Sequence, residues 1–305
     1  MRPGDRVFAK QVAETLLSEG GVAWMGRRAF RRRTLVLAYH NVVPASQEPR
    51  GDQSLHLPQP AFAAQLDALL ATHQVIPLAA IGQEPDGSRP RVVITFDDAY
   101  RGAMTAGIAE VYKRHLPATV FVAPGLFGSN TWWDRLADPT TGQVPPQTRE
   151  RALADLKGLG REVLEALGPG EGSLPSWAEI ATEDEVRAAA AVPGITFGAH
   201  TWNHPNLTAL APDYLASELA RPLAWLRGLG DRALPWLAYP YGLTSPAVAE
   251  AAAKAGYAGA LRIDGGWLPR ALPPQAMRYD LPRFNVPSGL SLAGFRLRAA
   301  GLLAG

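Results

Sequence analysis

Cysteine is absent from the 305 residues. Disulfides and thiolate ligands are therefore excluded, and any metal site must be built from nitrogen and oxygen donors. No apolar stretch approaches the roughly 20 residues of a membrane span. Near the N-terminus Asp5, Arg6, Lys10, Gln11 and Glu14 interrupt the apolar residues, which argues against a cleaved signal peptide. An excess of one charge is also missing. The 30 Lys and Arg stand against 28 Asp and Glu, a formal net charge of +2, and this balance gives no case for nucleic acid as a partner. Histidine is scarce, with six in all, so a pair of them close together is informative.

The length suits one large domain or two small ones. The basic excess is local: Arg27, Arg28, Arg31, Arg32 and Arg33 fall within seven residues. This cluster is either a solvated surface segment or a contact for phosphate, lipid headgroups or an anionic polymer. Ahead of it Val7, Phe8, Val12, Leu16 and Leu17 fall near helical spacing. Residues 1–33 therefore read as a basic helical segment that either lies in a membrane interface or packs on the domain's own core. The missing export signal makes the expected location cytoplasmic, peripheral at the inner membrane face if the segment meets lipid, with secretion left open.

Downstream, apolar β-branched runs alternate with longer helical patterns. Strands are expected at 34–39, 74–78, 91–96, 118–123, 195–199, 236–239 and 257–261, about seven in all. Helices are expected near 60–73, 103–114, 148–167, 182–191, 212–229 and 245–255. Thr182 with Glu185 reads as a capping box, and Pro246 after Ser245 suits a first helical turn. This alternation implies an α/β fold with a parallel sheet, open or closed into a barrel. His40, Asp97, Asp98, His200 and the turn Tyr239-Pro240-Tyr241-Gly242 all follow C-terminal ends of expected strands, where α/β barrels gather their chemistry. The stretch from 125 to 176 breaks the rhythm with Pro, Gly, Trp132 and Trp133 and reads as an insertion over that rim. Residues 34–290 form the expected barrel, and 291–305 a helical tail.

Two segments carry most of the chemistry. Thr95-Phe96-Asp97-Asp98 closes one apolar run, and His200-Thr201-Trp202-Asn203-His204 closes another. Histidines at i and i+4 share a face of a helical turn. Gly198 allows close backbone approach before them, and Pro205 limits the turn after them. Asp98, His200 and His204 then make a three-donor set for one divalent ion, zinc or another late first-row metal by donor type, with a position left open for water. Asp97 remains as a free carboxylate to take a proton.

With these residues in place, the chain resembles the polysaccharide deacetylases, the chitooligosaccharide deacetylase homology group of carbohydrate esterase family 4. Thr95-Phe96-Asp97-Asp98 looks like the first family motif, His200-Thr201-Trp202-Asn203-His204-Pro205 the second, and Ala238-Tyr239-Pro240-Tyr241-Gly242 the third. The resemblance implies a distorted, incomplete (β/α) barrel and metal-dependent removal of acetyl groups from sugars. By resemblance Asp97 is the base, and Asp98, His200 and His204 hold the metal. Tyr239, Pro240 and Tyr241 shape the substrate groove, with the Tyr241 N–H facing the oxyanion. Trp132 and Trp133 match a segment of some bacterial relatives and either stack on sugar rings or pack under the insertion. An N-acetylated carbohydrate, such as N-acetylglucosamine in an exopolysaccharide, is the implied partner.

Three departures from the family pattern stand out. Ala99 replaces the glycine of the usual Asp-Asp-Gly. Ala238 stands where many members carry an arginine that pairs with the base, and Arg283 is the candidate to supply it from another strand. No histidine follows His204, whereas the family places its general acid on a late strand. Leu35-Val36-Leu37-Ala38-Tyr39-His40 looks like that strand moved to the front, which makes His40 the expected acid. Two rival readings remain at this point. One is a deformylase or other non-peptide C–N hydrolase for a small molecule. The other is an inactive carbohydrate-binding relative, against which the retained pair Asp97 and Asp98 argues.

Overall fold

The computed structural model describes residues 13–18, 21–168, 170 and 172–302. Its organising element is a parallel sheet. The strands are β1 (Thr34–Tyr39), β2 (Asn41–Val43), β3 (His56–Pro58), β4 (Gln74–Val75), β5 (Arg91–Phe96), β6 (Ala118–Val122), β7 (Ile195–Ala199), β8 (Ala233–Ala238), β9 (Gly259–Leu261) and β10 (Phe284–Asn285). Seven of them run in the order β10-β1-β5-β6-β7-β8-β9, and β4 pairs with β5 beside them. All these pairings are parallel. β4 holds the first residues of one edge of β5 and β6 holds the last, so the sheet splays between them. Leu281 bridges to Leu261 of β9, while Phe284 pairs with Leu37 of β1. One short segment thus spans from one end of the sheet to the other, and the barrel is distorted and incomplete, as expected.

Every residue of β1 and β5 is buried, the pattern of strands covered on both faces. Side chains alternate along a strand, and two apolar clusters follow from this. One lies under the helices and includes Leu35, Leu37, Tyr39, Val92, Ile94, Phe96, Ile195 and Phe197. The other fills the inside of the curl, with Val36, Val93, Phe121, Trp236, Ala238 and Leu281. Counting on by twos from the inside set leads from Val36 to His40, from Val93 to Asp97, and from Leu281 to Arg283. The same period that buries the core therefore aims these polar side chains into the mouth of the barrel.

The helices lie near their expected places. Thr182 and Glu185 form the capping box, and Ser245 caps the helix Pro246–Ala255. The expected helix near 148–167 is two, Pro146–Ala154 and Gly160–Leu167, because Lys157 and Gly158 between them take positive φ. The expected helix at 103–114 opens with a π-helical stretch, Ala103–Gly107. Strands β2, β3 and β10, two or three residues each, were not expected. The stretch 125–176 holds an apolar cluster of its own around Trp132, Trp133, Val144, Ala152 and Val163, with Tyr241 packed against it. At the N-terminal end a helix runs from Gly21–Phe30. Val7, Phe8 and Val12 lie outside the described residues, as does Leu303. The tail forms the helix Leu292–Ala299.

Gly198, two residues before His200, has no room for a side chain. A Cβ there would meet the Phe121 ring at 2.5 Å and the Trp236 carbonyl oxygen at 3.0 Å. Gly198→Ala is expected to destabilise the fold by about 1–3 kcal/mol through overpacking, read as a lower denaturant midpoint at unchanged slope.

Candidate functional site

Asp97 follows β5 directly. Its backbone N–H donates to the Tyr39 carbonyl oxygen at 2.8 Å, which keeps it level with His40. Neighbouring acids on a straight strand would point apart. Here the Ala99 N–H turns back to the Asp97 carbonyl at 2.9 Å, with Asp98 at φ 69° in the centre. This three-residue turn brings both carboxylates to the rim. Ala99 itself has φ 60°, a left-handed conformation costly for a residue with a Cβ, and this accounts for the glycine usual at the position.

The spacing of His200 and His204 suggested a helical turn, but the segment is not helical. Thr201 and His204 both adopt positive φ, 65° and 56°. Buried Glu218, from the helix Pro212–Leu226, holds the bend. It accepts from the N–H groups of Trp202 and Asn203 at 2.9 and 2.8 Å and from Asn203 Nδ2 at 2.7 Å. Five of the non-glycine residues with positive φ (Asp98, Ala99, Thr201, His204 and Tyr241) belong to the three motifs. Such strained positions gather at functional sites.

The three donors converge. His200 Nε2 and His204 Nε2 are 3.1 Å apart, and Asp98 Oδ1 lies 3.5 and 3.3 Å from them. His200 Nδ1 sits 2.8 Å from the Ala238 carbonyl oxygen. That oxygen only accepts, so the ring proton is on Nδ1 and the Nε2 lone pair is free. Asp98 Oδ1 is buried without a hydrogen-bond partner. Three lone pairs facing one another at these distances repel unless a cation lies between them. The titration behaviour agrees. Burial, then Asp97 and Asp134, raises the Asp98 carboxyl well above its usual range, while burial lowers both histidines. The residues thus fit one divalent ion, and two nitrogens with one oxygen suit a late first-row metal.

Asp97 stands beside this triangle, its Oδ2 3.9 Å from His200 Nε2. Arg283 grips it from the neighbouring edge of the sheet. Nη1 and Nη2 donate to the two carboxylate oxygens at 2.6 and 2.7 Å, Nη1 also reaches Thr95 Oγ1 at 3.1 Å, and Nε donates to the Arg262 carbonyl oxygen at 3.0 Å. Arg283 is wholly buried and stacks over Phe121. Burial alone would raise the Asp97 carboxyl, but Arg283 and His200 outweigh it and hold the group well below the usual carboxylate range. His40, at the end of β1, is half-buried. Burial lowers its pKa to about 4 against the opposing pull of Asp97.

Of the two roles left open for Trp132 and Trp133, packing under the insertion is the one they take, whereas Tyr239 and Pro240 depart from their expected place in the groove. Trp132 and Trp133 are 1% and 4% exposed, so neither is an open platform for a sugar ring. The Trp132 indole N–H donates to the Tyr241 hydroxyl at 2.9 Å. The rings of Trp133 and Tyr241 pack on His204 with centroids 4.9 and 4.6 Å away. Tyr239 is also buried, its hydroxyl donating to the Tyr279 carbonyl oxygen at 2.8 Å, so its phenol does not line a groove. Pro240 is buried beside it. Of that motif Tyr241 remains at the rim, half-buried.

A supporting network escaped the sequence reading. His56 is wholly buried, with Nε2 2.8 Å from Asp134 Oδ1 and Nδ1 3.1 Å from Asn41 Nδ2. Asp134 accepts from the hydroxyls of Tyr100 and Thr131 at 2.6 and 2.7 Å. The Trp133 indole N–H closes the chain by donating to the Tyr100 hydroxyl at 2.7 Å. The wall behind His204 is therefore pinned by hydrogen bonds, and buried networks of this kind are rigid when fully satisfied.

A family model described as polysaccharide deacetylase matches residues 84–260, more than half of the chain. The chain belongs to the polysaccharide deacetylase family. All three motifs fall inside the match, whereas His40 and Arg283 lie outside it. Solved structures of deacetylases share the fold at low identity. The Streptococcus pyogenes deacetylase PplD, solved in complex with acetate, has a TM-score of 0.58 at 17% identity, covering 86% of this chain and 96% of that one. IcaB from Ammonifex degensii has a TM-score of 0.59 at 18% identity, covering 89% and 97%. The de-N-acetylase from Aggregatibacter actinomycetemcomitans has a TM-score of 0.55 at 14% identity, covering 87% and 98%. No curated protein matches the sequence.

The geometry around Asp97 makes a specific expectation for this family member. Arg283→Ala removes the two-point hold and should lower deacetylation turnover on the order of 100-fold, the cost of a misplaced catalytic group, while bound-metal content stays intact. Unchanged turnover would reject Arg283 as the partner of the base.

Proposed function

We propose that this protein hydrolyses acetyl groups from N-acetylated sugars of a poly- or oligosaccharide, using one divalent ion, zinc by donor chemistry. The observation that carries the reading is the buried triangle of Asp98, His200 and His204 with a second carboxylate beside it that Arg283 keeps ionised. A protein that only bound carbohydrate would have no use for that second carboxylate.

The ion, when bound, would polarise the acetyl carbonyl and lower the pKa of a water molecule from ~15.7 towards ~7. The residues of the chain do the rest. Asp97 takes the proton of the attacking water as its oxygen bonds to the carbonyl carbon. Arg283 fixes both carboxylate oxygens, so the base is ionised and aimed before substrate arrives. The backbone N–H of Tyr241 donates to the oxygen that gains charge; losing one such donor typically costs ~100–1000-fold in rate. His40 faces Asp97 and is neutral at rest. It takes over from Asp97 the proton that the water lost and gives it to the nitrogen as the C–N bond breaks, and a weakly basic imidazole is a strong acid once protonated. Acetate and the free amine are the products.

Acetate release from acetylated chito-oligosaccharides is the direct test. It should stop on chelation and return with zinc. Asp97→Asn should lower it ~100–10,000-fold, and His40→Ala should lower it as well. Release unaffected by chelator would overturn the metal reading. Formate release from a small formylated amine, with none of acetate, would favour the small-substrate alternative. Full activity of His40→Ala would remove its assignment as the acid.

A further inference from the structure

The helix Gly21–Phe30 plays no part in the chemistry above, yet its surface is distinctive. On a helical wheel its buried arc holds Ala23 and Gly26. A Cβ on Gly26 would lie 2.3 Å from the Ala300 carbonyl oxygen, so this arc is pressed against the C-terminal turn. The opposite arc is open. Trp24 and Met25 are 58% and 56% exposed, Arg28 lies between them on the wheel and is also exposed, and Val22, at the edge of the arc, is 37% exposed. Leu16 and Leu17, just ahead, are exposed too. Single exposed apolar side chains are ordinary, but an apolar set with a tryptophan on one helix face is not.

The charge around this face is one-sided. Arg31, Arg32 and Arg33 follow the helix directly and are exposed, and no Asp or Glu occurs between residues 20 and 47. Among the described residues, Arg28, Arg31, Arg32 and Arg33 form no salt bridge with an acid. Arg28 instead lies over the Trp24 ring and Arg33 over the Phe30 ring. A soluble polyanion would satisfy the arginines and leave Trp24 and Met25 in water. An anionic lipid surface satisfies both, with headgroups for the guanidinium groups and the acyl boundary for the apolar side chains.

We propose that this face docks the protein on an anionic lipid surface. Its position gives the docking a direction. The arginines lead into Thr34, the first residue of β1, so the helix lies at the N-terminal end of the strand. His40 and Asp97 stand at the other end, and six residues of strand span about 20 Å. The docking face thus ends about one strand length from the catalytic rim, which leaves the rim free for saccharide chains. This inference stands apart from the catalytic reading, and each can fail without the other.

Co-sedimentation of the full chain with two kinds of vesicle tests it. Vesicles of phosphatidylglycerol mixed with phosphatidylcholine should bind the protein, and vesicles of phosphatidylcholine alone should not. Added salt should weaken the binding. Trp24→Ser with Met25→Ser should lower partitioning about ten-fold through lost apolar burial. Replacing Arg28, Arg31, Arg32 and Arg33 by Gln should lower it by about five-fold per residue. Both variants should leave turnover on soluble oligosaccharide unchanged. Equal binding to both vesicles, binding to neither, or undiminished binding of the Trp24→Ser, Met25→Ser variant would overturn the proposal. So would an affinity for heparin that matches that for anionic vesicles in both wild type and this variant.

Discussion

The paired hydrogen bonds from Arg283 to Asp97 tie the residue before β10 to the residue after β5, and the site is organised around them. A carboxylate this deeply buried would ordinarily take up a proton. The guanidinium prevents that and leaves no rotational freedom to the group it holds. Burial lowers His200 and His40, and the same cation adds to the lowering of both. Removing one partner of such a pair leaves an uncompensated buried charge, typically a loss of about 3–5 kcal/mol. The arrangement is thus costly to break as well as useful. It also explains how the chain manages with Ala238 where relatives carry arginine. The guanidinium comes from the segment that leads into β10, and the Ala238 carbonyl orients His200.

Around this pair the barrel supplies direction and the loops supply strain. The period-2 pattern that buries Val36, Val93 and Leu281 inside the curl also carries His40, Asp97 and Arg283 to its mouth. Asp98 and His204 arrive only because the backbone bends at positive φ after β5 and β7, and Glu218 and the network around Asp134 hold those bends and the wall behind His204. Rigidity behind the donors matters because a metal site works when its geometry exists before the ion arrives.

Much of this was legible in the sequence, and the failures have physical causes. β1, β5 and β7 were read to the residue because strands buried on both faces are continuous apolar runs. β2, β3 and β10 were missed because two or three residues carry no periodicity. The i, i+4 spacing of His200 and His204 suggested a helix, since spacing alone does not separate a helical turn from a bend held by a distant glutamate. Trp132 and Trp133 left stacking and packing both open because exposure is not written in sequence; in the fold they are walls. Asn41, His56, Tyr100 and Asp134 gave no signal because their contacts join residues far apart in the chain, 78 positions for His56 and Asp134 and 136 for Asn41 and Trp177. Arg283 became a candidate only because the family's usual partner was absent at position 238.

The account depends on three side chains holding one ion beside a carboxylate that does not. Calorimetric titration of chelator-treated protein with zinc tests this most directly. One ion per chain is expected, with binding lost in Asp98→Ala and His204→Ala but kept in Asp97→Asn. Zinc uptake that survives Asp98→Ala and His204→Ala, or that vanishes with Asp97→Asn in a folded protein, would contradict the division of roles between the two adjacent acids.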